Sequence, residues 1–263
     1  MSQIAERAVK LLSLDGKIAM VTGAASGIGR GIALRVAEMG GAVVLLDIDQ
    51  EQGLATAGAI TKMGRESLFL RCDVRSAENC RRAVEQTIEH FGRIDILCNN
   101  AGIAIRKSVV DLPEDEWDLA LDVTLKSVYL LSREAIPHMI RGGGGAIINT
   151  GSGWALKGGS QAASYCAAKG GVLNLTRAMA IDYGKHGIRV NCVCPGDVDT
   201  PMLRSECQQL GEATDGFMQE AAQRPIARVG TTDDVANAVL FLASEMSAWI
   251  TGTHLVVDGG GLA

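Results

Sequence analysis

Tyr165 and Lys169 stand four residues apart in the run Tyr165-Cys166-Ala167-Ala168-Lys169, and Ser152 lies thirteen residues upstream. On a helix, residues four apart share one face, so the Lys169 ammonium can sit beneath the Tyr165 ring and favour its phenolate. An ordinary tyrosine titrates near pH ~10, and a neighbouring cation lowers that toward the range a general base needs. With the Ser152 hydroxyl orienting the reacting oxygen, the trio could take the proton of an alcohol while the carbon-bound hydrogen leaves as hydride. A Tyr and a Lys one turn apart are also ordinary helix residues, so the rest of the chain decides the reading.

A hydride needs an acceptor. Lys17-Ile18-Ala19-Met20-Val21 reads as a buried strand, followed directly by Thr22-Gly23-Ala24-Ala25-Ser26-Gly27-Ile28-Gly29 and a helical pattern from Arg30 to Met39. Strand, glycine turn and helix form a place for a pyrophosphate: Gly23 allows the turn, Gly27 lets backbone approach the phosphates, and Gly29 permits close packing of the helix, whose free N–H groups attract the anion. Ser26 and Ile28 belong to the same candidate contact set. A second strand, Ala42-Val43-Val44-Leu45-Leu46, ends in Asp47, eighteen residues beyond Gly29, where a carboxylate accepts hydrogen bonds from ribose hydroxyls. Asp47, with Ile48 beside it, argues for NAD over NADP. A 2′-phosphate ~4 Å away would be repelled by about 4 kcal/mol at an effective dielectric near 20 unless a cation compensated. None is nearby in the chain, where Asp49 adds another negative charge.

These residues need a scaffold, and the chain alternates strand and helix from end to end. Strands are expected near 17–22, 42–47, 67–72, 94–98, 145–151, 188–194 and 253–257, and helices near 28–40, 50–63, 77–91, 114–141, 163–185 and 232–244. Such alternation means an α/β fold: one doubly wound parallel sheet of about seven strands, Rossmann-like, with helices on both faces. Ligands bind beyond the carboxyl ends of such strands, where the glycine turn, Asp47 and Ser152 all fall. Residues 14–263 are expected to form one catalytic domain, and residues 1–13, with Ile4, Ala8, Leu11 and Leu12 at near-helical spacing, an amphipathic arm that packs on the body or on a neighbour.

With Cys72-Asp73-Val74 after the third strand, Asn99-Asn100-Ala101-Gly102 after the fourth, Pro195-Gly196 after the sixth and Asp258-Gly259-Gly260 near the end, the chain resembles the short-chain dehydrogenase/reductase family from about Leu14 onward. The resemblance implies that Asp73 and Val74 contact the adenine of NAD and that Asn100, Ala101 and Gly102 lie along the cofactor. It also implies that Pro195 and Gly196 join that set, that Val198 and Thr200 hold the nicotinamide end, and that Lys169 binds the nicotinamide ribose beside Tyr165. One position departs: where the family commonly reads Val-Asn-Leu, this chain has Val123-Thr124-Leu125, so Thr124 replaces an Asn whose backbone carbonyl holds a relay water. Retained activity with a perturbed relay is expected. The resemblance further implies a homotetramer, built on the helices near 114–141 and 163–185 and on the C-terminal strand.

The composition agrees. Hydrophobic residues make up 47% of the 263 residues and aromatics only 4%, which suits an aliphatic core, and a net charge of −5 gives no basic face for nucleic acid or an anionic membrane. No apolar run approaches the ~18 residues of a spanning helix, and Glu6, Arg7 and Lys10 are unlike a signal peptide, so a cytoplasmic location is expected. Seven cysteines read as reduced thiols. Cys192 and Cys194 face one way on a strand without a second pair, and the four histidines (His90, His138, His186, His254) are scattered, so no metal is expected.

Substrate identity belongs to a lid, Asp197 to Arg228, whose Met202, Leu203, Leu210, Phe217 and Met218 suit apolar ligands, while Arg204, Glu206, Glu212 and Asp215 suit a polyol or an acid. Trp154 and the stretch Ile103 to Arg106 are expected to line the pocket; Arg106 or Lys107 could anchor an anion or lie in solvent. A sugar or polyol alcohol leads. A 3-oxoacyl thioester and a hydroxysteroid are the alternative substrates, and a non-catalytic NAD-binding partner subunit is the alternative of a different class.

Overall fold

The structure is a computed structural model and describes residues 9–263. Of the arm expected over 1–13, residues 1–8 lie outside the described residues; Leu12 packs against the core and Leu14 is buried within it.

Seven strands run β1 (Ile18–Thr22), β2 (Ala42–Asp47), β3 (Ser67–Arg71), β4 (Ile96–Asn99), β5 (Gly145–Thr150), β6 (Ile188–Pro195) and β7 (His254–Val257). They form one sheet in the order β3-β2-β1-β4-β5-β6-β7, every pairing parallel. The order reverses between β1 and β4, which opens a crevice at the strands' carboxyl ends. Alternate residues of each strand enter separate cores: Val21, Leu45 and Ile148 face one way with Ile32, Val36 and Val239, and Met20, Leu46 and Ile147 face the other with Val84, Leu131 and Met139. Because both faces are covered, the central strands are apolar without alternation, which is why they are legible in the sequence as continuous runs.

Beyond the helical residues 9–12, the helices of the described residues include α1 (Gly27–Glu38), α2 (Gln50–Lys62), α3 (Ala77–Phe91), α4 (Glu114–Leu121), α5 (Ser127–Arg141), α6 (Ala163–Tyr183), α7 (Pro201–Leu210), α8 (Thr214–Ala221) and α9 (Thr232–Ala243). Two differences from the sequence expectation matter for the site. The single helix expected over 114–141 is interrupted by a π-helical turn, Asp122–Lys126, with Thr124 buried at its centre; such a turn inserts a residue and re-aims the side chains of the helix beyond it. The segment 197–228, expected only as a lid, contains α7 and α8. Thr200 caps α7 by accepting from the Leu203 amide, and Pro201 sits at its start, a pairing that nucleates a helix locally.

Candidate active site

One cavity of about 570 Å³ runs along the strand ends. Its first half is built from backbone. Gly23 and Gly27 adopt left-handed φ of 63° and 52°, conformations other residues resist. A Cβ on Gly29 would overlap the Gly23 carbonyl oxygen, so Gly29 holds the turn against α1 and does not line the cavity, whereas Gly23, Ser26, Gly27 and Ile28 do. The first amides of α1 have no intrahelical partner, and the Ser26 side chain makes no cap bond to them. Asp47 lies on the wall, one carboxylate oxygen accepting from the Ala25 amide at 2.9 Å and the other from the Asp49 amide at 3.1 Å. Asp49 turns away to cap α2 through the Gln52 amide, so it adds no charge to the cavity wall.

Ile48, Asp73 and Val74 complete this end together with Arg75, a cation that reading the neighbours of Asp47 overlooks. The Arg75 guanidinium forks onto the Asp73 carboxylate at 2.6–3.1 Å, which holds Asp73 below the usual carboxylate range and spends the cation. Thr22 fastens the next segment: its hydroxyl accepts from the Asn100 and Ala101 amides at 2.8 and 2.9 Å, and its carbonyl accepts from Asn100 Nδ2 at 3.0 Å. Asn100, Ala101 and Gly102 are thereby laid along the cavity opposite Pro195, Gly196, Val198 and Thr200. Free helix amides, an uncommitted serine hydroxyl, two glycines of left-handed backbone and a strand-end carboxylate form a donor and acceptor set that fits a dinucleotide.

Ser152, Tyr165 and Lys169 meet at the far end of the cavity. Ser152 follows β5, and its Oγ accepts from the Trp154 amide at 3.1 Å. Tyr165 and Lys169 come from the first turns of α6, whose approach requires Gln161 to take a left-handed φ of 49°, rare outside glycine. Lys169 Nζ lies 5.7 Å from the Tyr165 ring centroid and donates to the Thr150 carbonyl at 2.6 Å. The expected shared face is present; the expected downward pull on the phenol is not. Burial pushes Tyr165 above its ordinary range, with the Ser152 hydroxyl pulling the other way, and burial brings Lys169 down to about 8. Desolvation, and not the ammonium, thus sets the direction for the phenol in the protein alone.

Thr124 sits behind this trio: its Oγ1 accepts from the Ile103 amide at 3.3 Å, and a Cβ on Gly102 would touch both Lys169 Nζ (3.4 Å) and Thr124 Oγ1 (3.5 Å).

The outer wall is made of side chains far apart in sequence. Trp154 packs edge-on to Tyr165, centroids 5.9 Å apart, and Met202, Leu203 and Glu206 of α7 line the same cavity with Leu262. Arg106 and Lys107, considered as anchors for an anion, are both paired with carboxylates, Arg106 to Glu206 at 2.8 Å and Lys107 to Glu116 at 2.7 Å, and neither lines the cavity. Arg224 pairs with Asp197. Lys157 carries no motif that marks it in the sequence, although it follows Ser152 by five residues; it lines the cavity and makes no ion pair among the described residues, its nearest acceptor being the Gly261 carbonyl at 3.4 Å. Cys192 and Cys194 lie behind Gly151 with sulfurs 3.9 Å apart. No group of three or more His, Cys, Asp or Glu among the described residues is placed to hold a metal.

The family model described as "Enoyl-(Acyl carrier protein) reductase" matches residues 23–261. The chain is 40% identical to the (2S)-[(R)-hydroxy(phenyl)methyl]succinyl-CoA dehydrogenase subunit BbsD of Thauera aromatica, covering 95% of this chain and 98% of that one. It is 37% identical to the 2-dehydro-3-deoxy-D-gluconate 5-dehydrogenase of Escherichia coli K12, over 95% and 97% of the two chains. A solved 7α-hydroxysteroid dehydrogenase, complexed with NADH and 7-oxo glycochenodeoxycholic acid, superposes with a TM-score of 0.89 at 35% identity, covering 96% of each chain.

Proposed function

The chain belongs to the short-chain dehydrogenase/reductase family, and from that premise we propose that it transfers hydride reversibly between NAD(H) and a secondary alcohol or ketone, of the sugar, polyol or similar small hydroxy class. The observation that carries this is the meeting of Ser152, Tyr165 and Lys169 at one end of a cavity whose other end suits a dinucleotide. Both named relatives are dehydrogenases of hydroxy compounds, and the steroid enzyme binds NADH, which supports a nicotinamide. Asp47 on the adenosine wall, with Arg75 already committed to Asp73, supports NAD over NADP.

Gly23, Ser26, Gly27, Ile28, Asp47, Ile48, Asp73, Val74, Asn100 to Gly102, Pro195, Gly196, Val198 and Thr200 would hold the cofactor. When bound, its nicotinamide supplies the two-electron acceptor of the hydride. Ser152 donates to the substrate oxygen and fixes it beside Tyr165. In oxidation the O–H proton goes to the Tyr165 phenolate, the C–H bond breaks with both electrons leaving as hydride, and the C=O bond forms; reduction reverses each transfer. Lys169, tied to the Thr150 carbonyl, holds a positive charge beside the phenolate as it forms. Because burial holds the phenol above its ordinary range, the base form is scarce at neutral pH, and oxidation should quicken as pH rises while reduction should not.

The test is NADH formation across sugars, polyols, hydroxy acids, 3-hydroxyacyl thioesters and hydroxysteroids, with NADP⁺ as a control. Tyr165→Phe is expected to lower turnover at least about a thousandfold while NADH binds within a few-fold, since the ring stays and only the acid-base group is lost; wild-type turnover in that variant would overturn the assignment. Silence across the panel with tight NADH binding would favour a partner-subunit role.

The assembly we propose is a homotetramer. Its support is apolar surface on the expected helices, Tyr129 on α5 at 49% and Ile181 on α6 at 81% exposure, with Trp249 fully exposed before β7. A monomer mass by light scattering at micromolar concentration would refute it. The seven free thiols suit the reducing cytoplasm.

A further inference from the structure

Glu206 is an unusual residue to find on the wall of a pocket for an alcohol. It lies on the inner face of α7 with Leu203 and Cys207, only 9% exposed, and faces the same space as Trp154, Tyr165 and Leu203. A carboxylate in such surroundings needs a partner, and Glu206 has one: Arg106 Nη1 donates to its Oε2 at 2.8 Å. Arg106 is itself fixed from three further sides. Its guanidinium lies 5.0 Å from the Trp154 ring, its Nη2 donates to the Ser160 carbonyl at 3.1 Å, and its amide donates to Gln209 Oε1 at 2.9 Å. Gln209 Nε2 returns a bond to the Ala104 carbonyl at 3.1 Å. Arg106 does not line the cavity, so the clasp presents the acid and hides the base.

The two oxygens of Glu206 therefore differ. Oε2 is engaged with Arg106, whereas Oε1 accepts no hydrogen bond among the described residues, and the residue lines the cavity. A held carboxylate with one open oxygen, its charge balanced from behind, is a receptor for a neutral hydrogen-bond donor. A carboxylate brought to the same place would meet a like charge whose compensating cation is already spent.

We infer that Glu206 selects the substrate: its Oε1 accepts a hydrogen bond from a second hydroxyl of the molecule whose first hydroxyl is oxidised, so the site takes polyhydroxy alcohols in preference to mono-alcohols and rejects a carboxylate at that position. The inference rests on the hydride-transfer reading of this same site. Glu206 lines the same cavity as Ser152 and Tyr165, so one substrate molecule can present its second hydroxyl to Glu206 and its reacting one to Tyr165. A hydrogen bond to a charged acceptor that the mono-alcohol leaves unmade discriminates by about 10- to 100-fold, at the lower end where water can replace it.

The experiment compares kcat/KM for cyclohexanol, the 1,2-, 1,3- and 1,4-cyclohexanediols and the three matching hydroxycyclohexanecarboxylates in wild type, Glu206→Gln and Glu206→Ala, with equilibrium Kd for the same panel on each protein. The best diol is expected to exceed cyclohexanol at least tenfold in wild type. That ratio should fall to about one in Glu206→Ala, while Glu206→Gln, which keeps the shape and an acceptor oxygen, should retain part of it and admit the carboxylates. If Glu206 only clamps α7, both variants will lose activity on every substrate alike and the ratio will not move, which overturns the inference. A hydroxycarboxylate favoured in wild type also overturns it and shifts recognition to Lys157. Should no alcohol be turned over, the hydride reading fails by itself; the Kd ratio still decides whether Glu206 reads a second hydroxyl.

Discussion

The two walls of the cavity are built on different principles. The wall proposed to hold the cofactor comes from backbone at successive strand ends: glycines of left-handed backbone, helix amides and the Thr22 side chain fastening the Asn100 loop. The substrate wall comes from side chains paired across the chain, with Arg106 reaching Glu206 and Gln209 reaching Ala104 over separations of 100 and 105 residues. A wall of backbone is set by the fold, and at Gly29 it leaves no room for an added methyl. A wall of side-chain pairs can be rewritten without touching the sheet, which is how one scaffold comes to serve different alcohols.

Where the walls meet, Lys169 offers the largest test of this contrast outside turnover. A buried lysine brought from an ordinary 10.5 to about 8 costs the folded protein about 3 kcal/mol at neutral pH. The sign comes from proton counting. Between pH 8 and 10 the unfolded chain binds a proton that the folded chain does not, so stability rises with pH across that window, and the penalty is fully present below it. Lys169→Met should lack this rise and unfold at equal or higher denaturant at pH 7 while losing turnover; chemical denaturation at pH 7, 8, 9 and 10 reads it. An unchanged pH slope would show that Lys169 stays charged and solvated.

Gly29→Ala should expose the rigidity of the cofactor wall. The new methyl must displace the Gly23 carbonyl, so a loss of about 1–3 kcal/mol in stability and a clear rise in the NADH Kd are expected. Native NADH affinity in this variant would mean the turn is softer than its packing implies.

Gln209→Ala should sharpen the comparison from the other side. It removes two exposed bonds of the α7 clasp, so stability should change by no more than about 1 kcal/mol. KM for the alcohol should rise while the NADH Kd stays put; a coupled change in both would mean the walls are not independent. The smallest effect is expected at the junction itself. Thr124 already accepts from the Ile103 amide, and Thr124→Asn should alter turnover less than about threefold. A larger gain would show that the proton relay is limited by the threonine.

Much of this is legible in the chain because short-range rules govern it. The strand boundaries come from apolar runs buried on both faces, the turn at Gly23–Gly27 from residues that alone tolerate its dihedrals, and the pairing of Tyr165 with Lys169 from helical periodicity. Statements about energy and partnership fail where these succeed. The effect of Lys169 on Tyr165 is misjudged from sequence because proximity is visible there and desolvation is not. Arg75 and Asp49 are misplaced because their roles, one at the adenosine end with its charge spent on Asp73 and the other a helix cap, depend on which way a side chain turns after its strand.

By itself, then, the sequence determined a parallel sheet of about seven strands, a crevice at its carboxyl edge and the types of residue placed there, since each rests on local backbone preference and hydrophobic periodicity; the order of the strands is a product of long-range pairing and came with the structure. Only the tertiary structure decided which charges in that crevice are free. Arg106, Glu206, Arg224 and Asp197 look equally available along the chain; folding joins them in pairs and leaves Glu206 with one unbonded oxygen and Lys157 with no ion pair among the described residues, both on the cavity wall. Coulomb energy and desolvation depend on distance and surroundings, quantities that exist only once segments a hundred residues apart have been brought into contact.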